Sequence, residues 1–368
     1  MSQQYPCIPS EVIFEILLRL PVKSLVRFKS VSKSWLSLLS SPQFINTHLN
    51  ISRNNHKDVP HKLLMLDRDQ ILSKKCALFS TEKNSTVVCV DLDYPVKSPR
   101  CIPMFIGSCD GLVCLSVENS LVLWNPSTRK WKEIPKETTH MSQDYYCTYG
   151  FGYDKYNLDY KLVLVYSSKI KNSGNEVKVY SLRTNSWKKI KGFVSGYVYS
   201  NSGVLVNGIV HWHTRPHQDF NGCYYIVAFN LETEKQGKLD LPSYENEDVH
   251  WDLMSSRDSL FGFCHCESQG EVDIWVMKEY GVKESWTKFA SVAYYVIPGI
   301  FYLPLYINED GDVLLVDGQS LVLFNTRNNM YKDLHIHIPD ARFRIDMATY
   351  NETLVSPVID EEDGCKLW

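Results

Sequence analysis

"LVLWNPSTRKW" spans residues 121–131: an aliphatic run closed by Trp124, a polar turn through Asn125, Pro126 and Ser127, and a second tryptophan, Trp131, seven positions after the first. Four further stretches repeat the arrangement: "VKVYSLRTNSW" (177–187), "VAFNLETEKQ" (227–236), "VDIWVMKEYGVKESW" (272–286) and "LVLFNTRNNMY" (321–331). Each reads as strand, polar turn, strand. The aromatics closing the first strands, Trp124, Tyr180, Phe229, Trp275 and Phe324, are 56, 49, 46 and 49 residues apart. In three units another aromatic follows seven positions later (Trp131, Trp187, Tyr331), the spacing of a hairpin that sets aromatic opposite aromatic. "TVVCVDLDYP" (86–95) reads as a degenerate first unit, which makes about six. A period near fifty with several strands per unit is that of propeller blades. The expected fold from Lys62 onward is an all-β, propeller-like domain of about six repeat units. Its large strand-borne aromatics, Trp124, Tyr180, Trp187, Trp275 and Trp286, are expected between blades as core. Two signatures are missing: there is no Gly-Gly doublet of the kelch kind, and the one Trp-Asp pair, Trp251-Asp252, lies outside the aligned turns.

The first forty residues have a different texture. From Ile8 to Leu39, 17 of 32 positions are Ile, Leu, Val, Phe or Trp. Val12, Ile13, Ile16, Leu17 and Leu20 fall on one helical stripe, with Ser10 able to cap it, Glu11 near its positive end and Pro21 stopping it. Leu25, Val26 and Phe28 mark a second helical piece, and Trp35, Leu38 and Leu39 a third, with Pro42 ending the series. Glu15 and Arg19 interrupt the only run that could serve as a secretory signal. A helical unit this small seldom buries enough surface to be stable alone, so a partner is expected. The reading divides the chain into a helical module over 1–49, a linker over 50–61, the β domain over 62–358 and an acidic tail over 359–368.

Net charge is −3, but residues 1–62 hold 8 Lys/Arg against 3 Asp/Glu, leaving −8 for residues 63–368, so the two parts are expected to meet different partners. Eleven cysteines without a CxxC pair fit reduced thiols in cytoplasm or nucleus, most of them small core residues. The most membrane-like run, "VAYYVIPGIFYLPLYI" (292–307), is too short and is broken by Pro298, Gly299 and Pro304.

Few stretches carry chemistry. "HWHTRPH" (211–217), "CHC" (264–266) and "HIH" (335–337) could each offer two metal ligands from one strand face (His211 and His213, Cys264 and Cys266, His335 and His337), but none offers a third at tight spacing. No metal or cofactor is therefore expected. Neither phosphate-binding glycine motif occurs, nor G-x-S-x-G. Asp110, Asp154, Asp159 and Asp252 could serve a carbohydrate-processing propeller enzyme, yet Asp beside strand ends usually forms turns. "WKKIKG" (187–192), the densest basic stretch, reads as a solvated strand edge rather than a nucleic-acid site.

The order of motifs resembles plant F-box proteins with an F-box-associated, kelch-like domain, including the S-locus F-box group. The resemblance is carried by Ile8-Pro9, Ile16-Leu17, Leu20-Pro21, Leu25 and "VSKSW" (31–35), then by "GSCDGLVCL" (107–115), "LWNPSTRKW" (123–131), "YGFGYD" (149–154), "DYKLV" (159–163) and "IWVMKEYGVKESW" (274–286). It covers nearly the whole chain. The family's usual Leu-Pro opening is Ile8-Pro9 here, and its frequent third-helix Cys is Ser32.

The resemblance implies a non-enzymatic receptor subunit of an SCF-type ubiquitin ligase. The F-box would dock a Skp-family adaptor, and through it cullin and RING protein, while the β domain holds a protein target for degradation. The adaptor face expected from the motif is Ile8, Pro9, Ile16, Leu17, Leu20, Pro21, Leu25, Val31 and Trp35, although Trp35, Leu38 and Leu39 also fit simple core packing. The target is expected on loops outside the repeat: "THMSQDYYC" (139–147), "TRPHQDFNGC" (214–223) and "SYENEDVHW" (243–251), through Tyr145, Tyr146, Arg215, Phe220, Tyr244 and Trp251. The acidity of the third loop favours a basic target. An enzymatic propeller and an F-box scaffold working outside any ligase are the alternatives.

Overall fold

In the three units with two aromatics, the rings stand directly opposite: Trp124 faces Trp131, Tyr180 faces Trp187 and Phe324 faces Tyr331 across antiparallel pairs. The ring centroids of the second and third pairs are 5.4 and 4.9 Å apart. The turn between them is also shared. Asn125, Asn230 and Asn325 each accept, through Oδ1, backbone N–H groups two and three residues on. The fourth residue after that position has positive φ: Arg129, Glu234 and Asn329, with Asn185 in the same place of the unit that begins at Ser181. One Asx-turn design is thus reused.

These hairpins are the outer halves of blades. The computed structural model describes residues 8–54, 62–66, 71–75, 88–91, 103–118, 120–137, 145–168, 175–191, 197–198, 200, 202–215, 224–243, 249–256, 258–266, 270–293, 303–308, 310–317, 320–337 and 346–358. Six antiparallel sheets follow one another. Blade 1 holds Lys62–Leu66, Ile71–Lys75 and Val88–Asp91, with Asp346–Tyr350 as its innermost strand. Blade 2 is Met104–Cys109, Leu112–Val117, Ser120–Trp124 and Trp131–Ile134; blade 3 is Tyr145–Asp154, Asp159–Ser168, Glu176–Ser181 and Ser186–Ile190. Blade 4 opens with the short strands Tyr197–Val198 and Val204–Val206, both paired with Ile209–Arg215, and continues through Tyr225–Asn230 and Gln236–Asp240. Blade 5 is Val249–Ser256, Ser259–Cys266, Glu271–Met277 and Trp286–Ala293, and blade 6 is Leu303–Ile307, Val313–Asp317, Ser320–Asn325 and Met330–His337.

The first strands of successive blades pack into a closed ring, completed where Asp346–Tyr350 pairs with Lys62–Leu66. Closure from both ends of the domain ties the first blade to the last, and the innermost strand edges face the centre of the ring. "TVVCVDLDYP" supplies the outer strand of blade 1, Val88–Asp91.

Aliphatic and aromatic side chains fill the spaces between blades. Val163, Val165, Val177 and Val179 of blade 3 meet Trp212 and Phe229 of blade 4. Trp212 is admitted because the facing strand carries glycine: a Cβ on Gly150 would lie 2.4 Å from Val210 Cγ1 and 2.7 Å from Trp212 Cζ2. Trp124, Tyr180 and Trp286 are buried, and Trp187 and Trp275 are half-buried against the same clusters. Lys161, in "DYKLV", bonds Asp154 at 2.7 Å within blade 3 and reaches Glu234 and the Leu231 carbonyl in the outer turn of blade 4.

Four helices precede the propeller: α1 (Ser10–Leu18), α2 (Val22–Phe28), α3 (Lys33–Ser40) and α4 (Pro42–Asn54). Two expectations are corrected here. Pro42 starts a helix instead of ending the series, because proline suits the first helical turn and Ser41 Oγ caps it by accepting the Phe44 N–H at 3.3 Å. Ser10 does not cap α1: Pro9 occupies the cap position, and Ser10 Oγ donates to Glu11.

Candidate docking surfaces

The module's interior is made of Leu17, Leu18, Val22, Leu25, Leu39 and Phe44, all buried, with Phe14 edge-on to Phe44 at 5.3 Å and Phe28 against Trp35 at 5.4 Å. Leu17 and Leu25, expected on the adaptor face, are therefore core. Each points from its helix into the space the four helices enclose. Leu20 and Trp35 are half-buried in the same cluster, and the Leu20 carbonyl is bonded by His48 Nε2 at 3.1 Å, so the Leu20-Pro21 break is anchored to α4. Open to solvent are Ile8 (57% exposed), Ile16 (52%), Val31 (61%), Pro9 and Pro21. Val12 (46%) and Ile16 stand one turn apart on α1, flanked by Glu11, Glu15 and Arg19, with Ile8 exposed in the chain just before the helix. The sequence stripe through Val12, Ile13, Ile16, Leu17 and Leu20 thus merges two faces of one helix, one turned inward and one outward. Val12 and the exposed Leu36 are surface residues that the motif did not mark.

The far end of the module is fixed to the propeller. Arg53, in the last turn of α4, grips Asp110 with two bonds, Nε to Oδ1 at 2.9 Å and Nη2 to Oδ2 at 2.5 Å, and lies over the Tyr153 ring. Tyr160 donates its hydroxyl to the same carboxylate at 3.1 Å. Asp110 and Gly111 are the two central residues of the blade 2 inner hairpin, both with positive φ, the type I′ pattern of Asp-Gly turns. A Cβ on Gly111 would strike Thr353 Oγ1 at 2.4 Å. Residues 353–355 run beside this turn: Asn125 Nδ2 donates to the Thr353 and Val355 carbonyls, and Leu354 enters the module's core. Ile45 and Leu49 of α4 join the cluster between blades 2 and 3.

Strand direction then separates two faces. In blades 2 to 6, turns joining first to second and third to fourth strands emerge on one side of the ring; the second-to-third connections and the links between blades emerge on the other. Asp110 belongs to a first-to-second turn, so the helical module sits on the turn side. The three loops singled out in the sequence are links between blades (139–147 and 243–251) or a second-to-third connection (214–223), and the strand ends they join lie on the opposite side; residues 139–144, 216–223 and 244–248 lie outside the described residues.

Of the six residues proposed there, Tyr145 and Tyr146 are exposed at the start of blade 3's inner strand. Trp251 is a correction. It is buried, on the inner strand of blade 5 with its ring against Gly262, whose missing side chain gives it room. Phe220 and Tyr244 lie outside the described residues, as does the Arg215 side chain.

The family model of the F-box associated beta propeller domain matches residues 62–356, and that of the F-box domain matches residues 6–47. The chain is a plant F-box protein. An F-box/kelch-repeat protein of Arabidopsis thaliana is 32% identical over 364 residues, covering 95% of this chain and 96% of its own. The F-box protein CPR1 of the same plant is 30% identical over 361 residues, covering 89% and 84%. Among solved structures, Aleuria aurantia lectin aligns at TM-score 0.43 with 9% identity over 68% of this chain and 87% of its own, a likeness too slight to inform function.

Within this F-box protein the four sequence-marked carboxylates have separate tasks. Asp110 holds Arg53. Asp154 caps its own turn through Asn157 and Lys161; burial works to raise its pKa, and those bonds more than offset it. Asp159 accepts from Ser181 Oγ and the Arg183 N–H, with its pKa raised by burial. Asp252, on the first strand of blade 5, lies beside His250 and His265. The strand pairs also divide: Cys264 and Cys266 turn into the core between blades 4 and 5, while His265, on the alternate face, meets Asp252. His211 bonds the Val204 carbonyl and the Tyr280 hydroxyl, and His213 faces His250. The side chains of His335 and His337 lie outside the described residues.

Proposed function

We propose that this F-box protein is the substrate receptor of an SCF-type ubiquitin ligase: α1 to α3 dock a Skp-family adaptor, and through it cullin and RING protein, while the loop side of the propeller holds a protein target for ubiquitination and degradation. The observation that carries this reading is the exposed pair Val12 and Ile16 on α1, with Ile8 just before it, left open together with Val31 and Leu36 while Leu17, Leu18, Val22, Leu25, Leu39 and Phe44 form the module's core. Exposed apolar residues so grouped mark a protein partner. Ile8, Pro9, Ile16, Pro21 and Val31 remain in the proposed face, joined by Val12 and Leu36, and Leu17 and Leu25 support it from beneath.

The helical module is fixed to the turn side, through Arg53 and Asp110, away from the loop-side strand ends. A target held there is carried by a rigid ring, and the ligase gains by holding target lysines near the conjugating enzyme instead of performing bond chemistry in this chain. Tyr145 and Tyr146 are the described residues proposed to touch the target. Glu245, Glu247 and Asp248 favour a basic partner whose affinity weakens with salt. The proposed setting is cytoplasm or nucleus.

Affinity capture with full-length bait tests both halves. The wild-type chain should recover a Skp-family adaptor, and Tyr145→Ala with Tyr146→Ala should keep the adaptor and lose ubiquitination targets. Absence of any Skp adaptor from the wild-type capture refutes the receptor reading.

A further inference from the structure

On the loop side, where the first strand of blade 5 meets the second strand of blade 4, four titratable side chains converge that adaptor docking does not use. His213 comes from the second strand of blade 4, His250 and Asp252 from the first strand of blade 5, and His265 from the second. Register accounts for the meeting: His250 is paired directly with His265, Asp252 is two residues from His250 and shares its face, and the two blades pack together at these strands. The metal-capable atoms of His213, His250 and Asp252 all lie within 4.8 Å of one another. His250 Nε2 is 3.7 Å from Asp252 Oδ1, His265 Nε2 is 3.3 Å from Asp252 Oδ2, and the His213 and His250 rings are 5.7 Å apart.

Hydrogen bonding within the group leaves His213 unexplained. The residue is 3% exposed, and its Nε2 is buried with no hydrogen-bond partner among the described residues. Native interiors rarely tolerate such an orphan without an unseen water or ion. We propose that His213, His250 and Asp252 bind one divalent transition-metal ion of the zinc class, with His265 orienting the Asp252 carboxylate from behind.

The donor set supports that choice. Two imidazole nitrogens and one carboxylate oxygen suit zinc and its neighbours, whereas calcium and magnesium prefer oxygen throughout. Ligand bonds of about 2.0–2.2 Å put donors of one tetrahedral ion about 3.3 Å apart, so modest side-chain rotation closes the site. The Asp252 carboxylate, with His250 Nε2 at 3.7 Å and His265 Nε2 at 3.3 Å, supplies the anionic oxygen that a cation requires. His250 and Asp252 are each about a third exposed, which gives the ion a path from solvent and leaves a fourth position for water. A bound ion would staple blade 4 to blade 5 at the loop-side ends of Ile209–Arg215 and Val249–Ser256. The inference stands on side-chain geometry and does not depend on the ligase reading.

Untagged full-length protein, stripped with chelator and desalted, is to be titrated with Zn2+ and separately with Co2+. One equivalent should bind, the cobalt form should show the visible absorption of a four-coordinate ion, and zinc should raise the melting temperature. His213→Gln and Asp252→Asn, checked for fold by circular dichroism, should each weaken binding by roughly 100-fold or more. His48→Gln, in the helical module, should leave it unchanged. Should His213→Gln fail to fold, the more exposed Asp252 carries the decision. Uptake below one equivalent, or uptake unchanged in Asp252→Asn, overturns the proposal.

Discussion

Truncating the outward face of α1 to alanine separates docking from folding, because Ile8, Val12 and Ile16 contribute little to the module's own core. Fully burying an aliphatic side chain contributes about 1.5–3 kcal/mol. These three are 57%, 46% and 52% exposed, so about half of that remains to be gained from each against a partner, roughly 1 kcal/mol apiece. Alanine removes most of it and favours the helix at positions 12 and 16. The triple variant Ile8→Ala, Val12→Ala and Ile16→Ala should bind a Skp-family adaptor about 2–3 kcal/mol more weakly, a Kd rise of roughly 30- to 150-fold. Isothermal titration or biosensor kinetics on full-length protein reads this directly, with the melting temperature within error of wild type. The buried Leu25→Ala is the contrast: it should cost about 2–5 kcal/mol of module stability before any partner is added. A Kd change below threefold in the triple variant would show that α1 does not face the adaptor.

Arg53→Ala should loosen the module from the propeller, leaving Asp110, 9% exposed, with Tyr160 and the Cys109 thiol; since the guanidinium is a third exposed, about 1 kcal/mol is expected, read as faster proteolysis after α4. Gly150→Ala should destabilise the propeller by about 1–3 kcal/mol through collision with Val210 and Trp212, measured as a lower unfolding midpoint in urea. Burial pushes the His211 pKa down to about 4 from 6.5. Its contribution is complete above pH 6.5 and is lost as pH falls toward 4, because the unfolded chain takes up a proton that the folded one resists, up to about 3 kcal/mol. Chelator-treated protein should show that loss in urea melts, and His211→Gln should reduce it.

The repeat was legible because its signal is local. An aromatic, six intervening residues and a second aromatic seven positions on translate directly into opposed rungs of one hairpin, as Trp124 and Trp131 show. Inner strands carry no such signature: "YGFGYD" could be matched to a family, but the use of Gly150 as a seat for Trp212 depends on the neighbouring blade. The same limit separates Leu17 from Ile16. Both are apolar on α1, and the choice between core and surface is made by α2 to α4, together with Leu354 from beyond the last strand. The small module therefore has a stabilising partner in its own chain, which an argument from its size alone assigns to another protein. Trp251 was assigned to a loop because the acidic run before it hides the strand start at Val249. The histidine cluster was missed because ligands were paired within strands, whereas His213 and Asp252 meet across a blade boundary.

Hydrogen–deuterium exchange on the full-length chain with and without a recombinant Skp-family adaptor tests the receptor reading most directly. A stable one-to-one complex is expected, with slowed exchange over the helices between Ser10 and Ser40 and unchanged exchange at Tyr145–Thr148 and the other loop-side strand ends. Failure to form the complex, or protection on the loop side while the α1 amides exchange as before, would contradict it.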